Sequence, residues 1–194
     1  MEREVLLTGI GGQGVQLAAT TLGVAATSIG LEVLTFGSYG GAMRGGNTAA
    51  TVVVGDARLH TPPDVDDAWA AIALHHDYWP EVRDRLRPGG LVVVDSSVFR
   101  GELDAIGSTV LEVPATTIAT DAGYAQAASM VALGAFAAAT HLVTLDSLTT
   151  AAHHVLPSYR AQHAGANANA LTIGWEFVAA PMVPAWPDDV RSRA

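Results

Sequence analysis

Val5-Leu6-Leu7-Thr8-Gly9-Ile10-Gly11-Gly12-Gln13-Gly14-Val15 passes from a short apolar run through a glycine-rich turn into a new periodicity. Val5-Leu6-Leu7 reads as a buried strand. Beyond Gly14, Val15, Ala18, Leu22, Ala25 and Ile29 recur at intervals of three and four, one face of a helix that Gly30 stops. Leu31 to Phe36 is a second strand, so the chain opens as strand, turn, helix, strand. Gly9, Gly11 and Gly14 satisfy G-x-G-x-x-G, and Gly12 and Gln13 complete the turn. Glycine there tolerates positive φ and lets backbone approach a ligand closely. Two readings stay open: an anion site at a helix N-terminus, or a tight packing turn without a ligand.

A dinucleotide site adds an acid about 20 residues on, at the end of the second strand, to hold ribose hydroxyls. Here that strand ends Leu34-Thr35-Phe36-Gly37, and Glu32 stands at its beginning. Nicotinamide cofactors are therefore disfavoured. Directly after the strand comes a second glycine cluster, Gly37-Ser38-Tyr39-Gly40-Gly41-Ala42-Met43-Arg44-Gly45-Gly46-Asn47. It is expected at the same carboxyl edge of the sheet as the first, where ligands of open α/β sheets bind. Arg44, framed by Gly45 and Gly46, offers planar bidentate donors to phosphate or carboxylate, and Ser38, Tyr39 and Asn47 add neutral hydrogen bonds. The bland alternative is a surface loop with a solvated arginine.

Thr48–Val54, Ala70–Leu74, Leu91–Val94 and Val110–Val113 are further strand candidates, and Pro88-Gly89-Gly90 is a turn after a helix-like Tyr78–Arg87. Alanine-rich helices are expected at Thr116–Ala122, Ala127–Ala139, Leu145–Leu156 and Ala166–Val178. The alternation predicts an α/β fold: a Rossmann-like, doubly wound, mostly parallel sheet with helices on both faces, in a single domain over residues 1–178. Residues 179–194, with Pro181, Pro184 and Pro187, form an extended or mobile tail.

The chain has 194 residues, 49% hydrophobic, enough for a substantial core, and its net charge of -9 argues against nucleic acid or anionic lipid as partner. With no cysteine it cannot hold a thiolate-ligated iron–sulfur cluster or a disulfide. All ten Lys+Arg residues are arginine, which rules out a Schiff-base or Walker lysine. The longest apolar stretch, Met130 to Val143, is broken by Thr140 and His141 and is short of the ~20 residues of a membrane span. A cytoplasmic location is the expectation. His75-His76 and His153-His154 are adjacent pairs, which do not share a face of a helix or strand, and no metal site is expected. Ser38 lacks the G-x-S-x-G spacing of a hydrolase, and no catalytic residue is expected in this chain. Trp69, Trp79, Trp175 and Trp186 read as packing or interface residues.

Taken in order, Gly9 to Val15, then Tyr39-Gly40 and Met43-Arg44-Gly45-Gly46, resemble the γ-subunit family of pyruvate, 2-oxoglutarate and branched-chain 2-oxoacid:ferredoxin oxidoreductases. Val113-Pro114-Ala115-Thr116, Met130 to Ala135, and Asn167, Ala170 and Gly174 are similar to that family's second half, so the likeness runs from about Val5 to Phe177. It departs at Gly41-Ala42, where the family often has Pro-Glu, and at Ser129, where it often has asparagine. The resemblance implies a partner domain of a multisubunit enzyme that converts a 2-oxoacid and coenzyme A to acyl-CoA and carbon dioxide. Electrons pass to ferredoxin or a similar acceptor. Thiamine diphosphate, magnesium and iron–sulfur clusters then sit on partner subunits, the thiamine-binding α/β chains and the iron–sulfur chain. Gly55-Asp56-Ala57 indeed lacks the glycine a thiamine motif needs. Coenzyme A is implied at a shared site, with Gly9, Gly11, Gly12, Gln13, Gly14, Ser38, Tyr39, Arg44, Gly45, Gly46 and Asn47 as candidate contacts. A free-standing nucleotide or dinucleotide module and a purely structural adaptor are the competing readings.

Overall fold

A computed structural model describes residues 1–39, 46–62, 64–105 and 107–187. Arg44 and Gly45, and the tail beyond residue 187, lie outside them, and so does the side chain of Tyr39. Six strands form one sheet: β1 (Glu2–Ile10), β2 (Glu32–Tyr39), β3 (Asn47–Gly55), β4 (Ala68–Ala73), β5 (Leu86–Asp95) and β6 (Thr109–Val113), in the order β2-β3-β1-β4-β5-β6. β1, β4, β5 and β6 are parallel neighbours, whereas β3 runs antiparallel to both β1 and β2. The sheet is thus mostly parallel, as expected, but β2 is not beside β1. Only residues 40–46 connect β2 to β3. A crossover to a parallel neighbour takes about a dozen residues, so this link can make only a hairpin, and β3 fills the place between β1 and β2.

Alternation along the strands builds two cores. Val5 and Leu7 of β1, Val52 and Val54 of β3, Ile72 of β4, and Leu91 and Val93 of β5 face one way. They meet α1 (Val15–Ser28), α3 (Ala115–Asp121), α4 (Ala128–Thr140) and α5 (Leu145–His154). Leu6, Val53, Ala71, Val92 and Val94 face the other way, against the short α2 (Trp79–Arg83) and the loop residues Leu59, Phe99 and Leu103. Helices lie on both faces, but unequally. α4 is buried on every side from Ser129 to Thr140, and it packs against β5 and β4 on one side and against α6 (Ala164–Glu176) on another. That is why its sequence is apolar all round and shows no stripe.

Two local expectations change. Pro88-Gly89-Gly90 is not a turn but part of β5, where the register with β4 slips between Ala68 and Ala70. Gly89 takes φ 83°, and Gly90 lies so close to the Trp69 carbonyl that no side chain fits. The bulge absorbs the glycines, and the helix before it shrinks to Trp79–Arg83. The other concerns the start of the tail, whose described residues, through 187, run as a series of bends docked on the end of α4. The Met182 and Val183 amides donate to the Ala139 carbonyl (2.8 and 3.1 Å) and the Ala185 amide to Thr140 (2.7 Å). Trp186 is buried with its Nε1 donating to the Leu142 carbonyl at 3.0 Å, and Arg3 Nε donates to the Ala185 carbonyl at 2.6 Å. Trp69, Trp79 and Trp186 are core residues. No helix among the described residues is long and apolar enough to cross a membrane.

Candidate functional site

The glycine turn is held by Gln13. Its Oε1 accepts from the Ile10 amide at 2.8 Å, and its Nε2 donates to the Leu74 carbonyl at 2.9 Å, so one carboxamide ties the end of β1 to the residue after β4. A side chain at Gly9 would meet that Oε1 at 2.6 Å. Gln13 therefore shapes the turn, and both its polar atoms are occupied within the chain. Gly12 (φ 106°) and Gly14 (φ 81°) require the left-handed region. Gly14 is also pressed against α4, because a Cβ there would lie 2.5 Å from Ser129 Oγ.

The two glycine clusters do share an edge. The Gly11 amide donates to the Gly46 carbonyl at 2.9 Å, and Ile10 pairs with Asn47 and Tyr39 with Thr48. Gln16 Nε2 reaches from α1 to the Ala49 carbonyl at 2.7 Å, fastening helix to hairpin. Strand parity then divides the residues at this edge. Ser38 and Asn47 alternate onto the face of the second core, where Asn47 Nδ2 meets Glu81 Oε2 at 3.4 Å and Asn47 Oδ1 is buried without a partner among the described residues. Thr48 alternates with Ala50, Val52 and Val54 onto the helix-covered face.

On that face the turn opens into a cleft of about 630 Å³. Its walls include Gly11, Gly12 and Gly14, the first turn of α1, Thr48, the loop around Tyr124, and Arg160, His163 and Asn167. Arg160 and His163 belong to a 3-10 helix, Ser158–His163, that leads directly into α6. Asn167 and Thr48 are each only 7% exposed. The N-cap of α1 is Gly14, which has no side chain to cap with, and its first turn has no acid. The unbonded amides and dipole end of that helix thus face space that, among the described residues, is lined by no carboxylate.

His75 and His76 also depart from expectation. A turn after β4 stacks their rings, with centroids 4.3 Å apart and planes 20° from parallel, over Asp77 at 3.5 and 3.3 Å. The donor atoms of the three residues lie within 4.8 Å of one another. The Asp77 amide donates to His75 Nδ1 at 3.3 Å, so the turn itself occupies one of these ring nitrogens.

The sequence pattern of the family described as pyruvate ferredoxin/flavodoxin oxidoreductase matches residues 4–177. The chain belongs to that family. It is 31% identical to the 2-oxoglutarate synthase subunit KorC of Methanocaldococcus jannaschii over 158 residues, covering 78% of this chain and 82% of that one. It is 36% identical over 136 residues to the ketoisovalerate oxidoreductase subunit VorA of Methanothermobacter thermautotrophicus, covering 69% of this chain and 27% of that longer protein. The γ subunit of a keto/oxoacid ferredoxin oxidoreductase from Geobacter sulfurreducens superimposes with a TM-score of 0.71 at 26% identity, over 90% of this chain and 96% of that one. The 2-oxoglutarate:ferredoxin oxidoreductase of Magnetococcus marinus, solved with 2-oxoglutarate, coenzyme A and succinyl-CoA bound, gives a TM-score of 0.79. That comparison spans 97% of this chain and 34% of that one at 21% identity, a likeness of fold. The family match encloses both glycine clusters, which are therefore parts of one oxidoreductase-family domain.

Thr48, Arg160 and His163 did not stand out in the sequence, and Asn167 stood out only through the resemblance. Two signals were present for the buried pair. Thr48 has the strand parity of Val52 and Val54, and Asn167 is a polar residue on the buried stripe with Ala170, Leu171 and Gly174. Arg160 and His163 sit in an exposed, aperiodic segment and carried no such signal.

Proposed function

We propose that this chain is the γ-type subunit of a multisubunit, thiamine-diphosphate-dependent 2-oxoacid:ferredoxin oxidoreductase, where it supports coenzyme A binding and assembly. The observation that carries the reading is the bond from the Gly11 amide to the Gly46 carbonyl, which joins both glycine clusters at one sheet edge. Coenzyme A is polyanionic, and the uncapped start of α1 suits a phosphate oxygen. Gly12, with nothing within 4 Å of where a Cβ would stand, keeps the backbone bare for close approach, Gln13 fixes the shape of the turn, and Arg44 is the cation this reading assigns to the coenzyme's phosphates. The coenzyme supplies the thiol that takes up the acyl group. This chain's residues bind and orient; they move no proton and carry no electron. A chain without cysteine fits that division, because thiolate-held clusters have to reside on partners.

Assembly is supported by the free side of the sheet. β2 is an edge strand, with Leu34 at 37% and Phe36 at 55% exposure. Such an edge is usually covered in a working complex. Thiamine-binding and iron–sulfur chains are the partners this reading calls for, with ferredoxin as the acceptor of the whole assembly.

The test is Arg44→Ala in the assembled enzyme. A raised apparent KM for coenzyme A with unchanged assembly supports the reading. Weakened assembly with an unchanged coenzyme response would favour a structural adaptor, and no change in either would remove Arg44 from the site.

A further inference from the structure

We infer that the edge strand β2 pairs antiparallel with β2 of a second copy of this chain, joining two sheets across a two-fold axis with Thr35 opposite Thr35. This deepens the assembly half of the proposed function, on which it rests for a covered edge, and does not need the coenzyme half.

The edge is shaped for pairing. β2 keeps unbroken register with β3, and its outer side meets no strand among the described residues. Leu34, Thr35, Phe36, Gly37 and Ser38 are exposed in succession, so neither face of the strand is covered there. A free edge is normally guarded by a lysine, a proline, a bulge or short length. β2 has none of these, whereas β6, at the other edge, is five residues long and carries an exposed Glu112. Val24, Leu34 and Phe36, at 38%, 37% and 55% exposure, place three exposed large hydrophobic residues at this one edge.

Charge and symmetry select a second copy as the occupant. From Val15 to Tyr39 the only charged residue is Glu32, in a chain that is 15% charged with a net charge of -9. Two such acidic chains repel over most of their surfaces, and an uncharged edge is where they approach at least cost. A two-fold axis normal to the sheet keeps each face of β2 on its own side, so only residues of like parity can stand opposite each other. With Thr35 on the axis, Leu34 meets the copy's Phe36 and Phe36 meets the copy's Leu34, an apolar cluster of four on the open face. Val33 meets Gly37 on the α1 face, and Glu32 meets Ser38, whose hydroxyl can donate to it. The two Glu32 carboxylates then stand six residues apart, about 20 Å, beyond the screening length of about 8 Å at physiological ionic strength. A parallel pairing would set them side by side. On the other face α1, which has no charged residue, comes beside its own copy. The groove of about 500 Å³ between Thr20, Gly23, Val24, Thr27, Val33 and Thr35 has no charge in its walls and accepts apolar side chains there.

The test is sedimentation equilibrium of the purified full chain across the micromolar range, with cysteine cross-linking to read the register. The expected mass is twice the 20.0 kDa of one chain. Phe36→Lys, which adds an edge guard at an exposed position, should weaken association at least tenfold while keeping the wild-type circular dichroism. The chain has no cysteine, so an introduced one is its only thiol. Opposed Cα atoms in an antiparallel pair lie about 4.5–5.5 Å apart, within disulfide reach. Thr35→Cys should therefore form a disulfide dimer under mild oxidation, and Ser38→Cys, about 20 Å from its copy in this register, should not. A monomer at every concentration overturns the proposal and leaves the edge to a different chain. A dimer that Phe36→Lys leaves intact, or equal cross-linking of Thr35→Cys and Ser38→Cys, also overturns it. The two readings fail separately. A monomeric chain that still restores coenzyme A-dependent viologen reduction to its complex removes the pairing and leaves the proposed function. A chain that dimerises with the expected cross-link but restores no reduction leaves the pairing and removes that function.

Discussion

Gly134→Ala pits two effects of opposite sign against each other. Gly134 lies in the middle of α4, and alanine is the better helix former by about 1 kcal/mol. Propensity alone therefore predicts a more stable protein. Packing predicts the reverse. A methyl at Gly134 would lie 2.9 Å from the Leu171 carbonyl carbon and 3.0 Å from the Trp175 nitrogen, and closer still to the Leu171 oxygen. Gly174 repeats the arrangement from the other side, with a methyl 2.8 Å from the Val131 carbonyl carbon. All these neighbours are helix backbone, which cannot rotate aside, so α4 and α6 have to separate by most of an ångström. Overpacking in a tight core costs about 1–3 kcal/mol, and this contact sits at the upper end because only rigid-body movement relieves it. Subtracting the propensity gain leaves a net loss of about 2 kcal/mol, or a fall in Tm of roughly 4–8 °C for a chain of this size. Urea unfolding followed by circular dichroism measures it. A Gly134→Ala protein as stable as wild type, or more so, would refute the close crossing of these helices.

Four more substitutions probe other parts of the structure. Gln13→Leu strands the Ile10 amide and the Leu74 carbonyl and should cost about 2 kcal/mol in urea unfolding; a neutral result would mean that the turn stands without its brace. Gly14→Ala meets both a left-handed backbone, worth about 1–2 kcal/mol, and Ser129 Oγ, so Ser129→Ala should rescue part of the loss but not all of it. Full rescue, or none, contradicts one of the two causes. The Glu2 carboxyl is held below the ordinary carboxylate range, chiefly by the Thr61 side chain and also by the His60 and Thr61 amides. A depressed folded pKa gives stability that is present above the ordinary value and lost as pH falls through the depressed one. Glu2→Gln should therefore be the less stable protein at pH 7 and approach wild type under strong acid. An equal gap at both pH values would show that the charge contributes nothing.

How much of the fold was legible in the sequence depends on the range of the interaction. The turn from Gly9 to Gly14 and helix α1 come from local rules, glycine where φ is positive and apolar residues at helical spacing. The second glycine cluster was assigned to the right sheet edge by the direction of β2 alone. The antiparallel course of β3 was written in the short link over residues 40–46, a constraint of chain length rather than of residue type. The bulge at Gly89-Gly90 depends on Trp69 in a neighbouring strand, so Pro88-Gly89-Gly90 read locally gives a turn. The docked segment from Met182 to Trp186 is fixed by carbonyls at the end of α4, which no periodicity within the segment reveals. At the site the limit is similar. Ser38 and Asn47 were chosen for their residue types, but strand parity sends them to the face away from the cleft and turns Thr48 toward it. Arg160 and His163 reach the cleft only because α6 folds back over α4 and α5.

The central claim is that this chain completes a coenzyme A-dependent 2-oxoacid oxidoreductase whose chemistry is carried by other subunits. Co-expression with thiamine-binding and iron–sulfur chains, and then coenzyme A-dependent viologen reduction with several 2-oxoacids, tests it most directly. The account predicts reduction only when this chain is present in the purified complex, and none from this chain alone. Equal reduction with and without it would contradict the account.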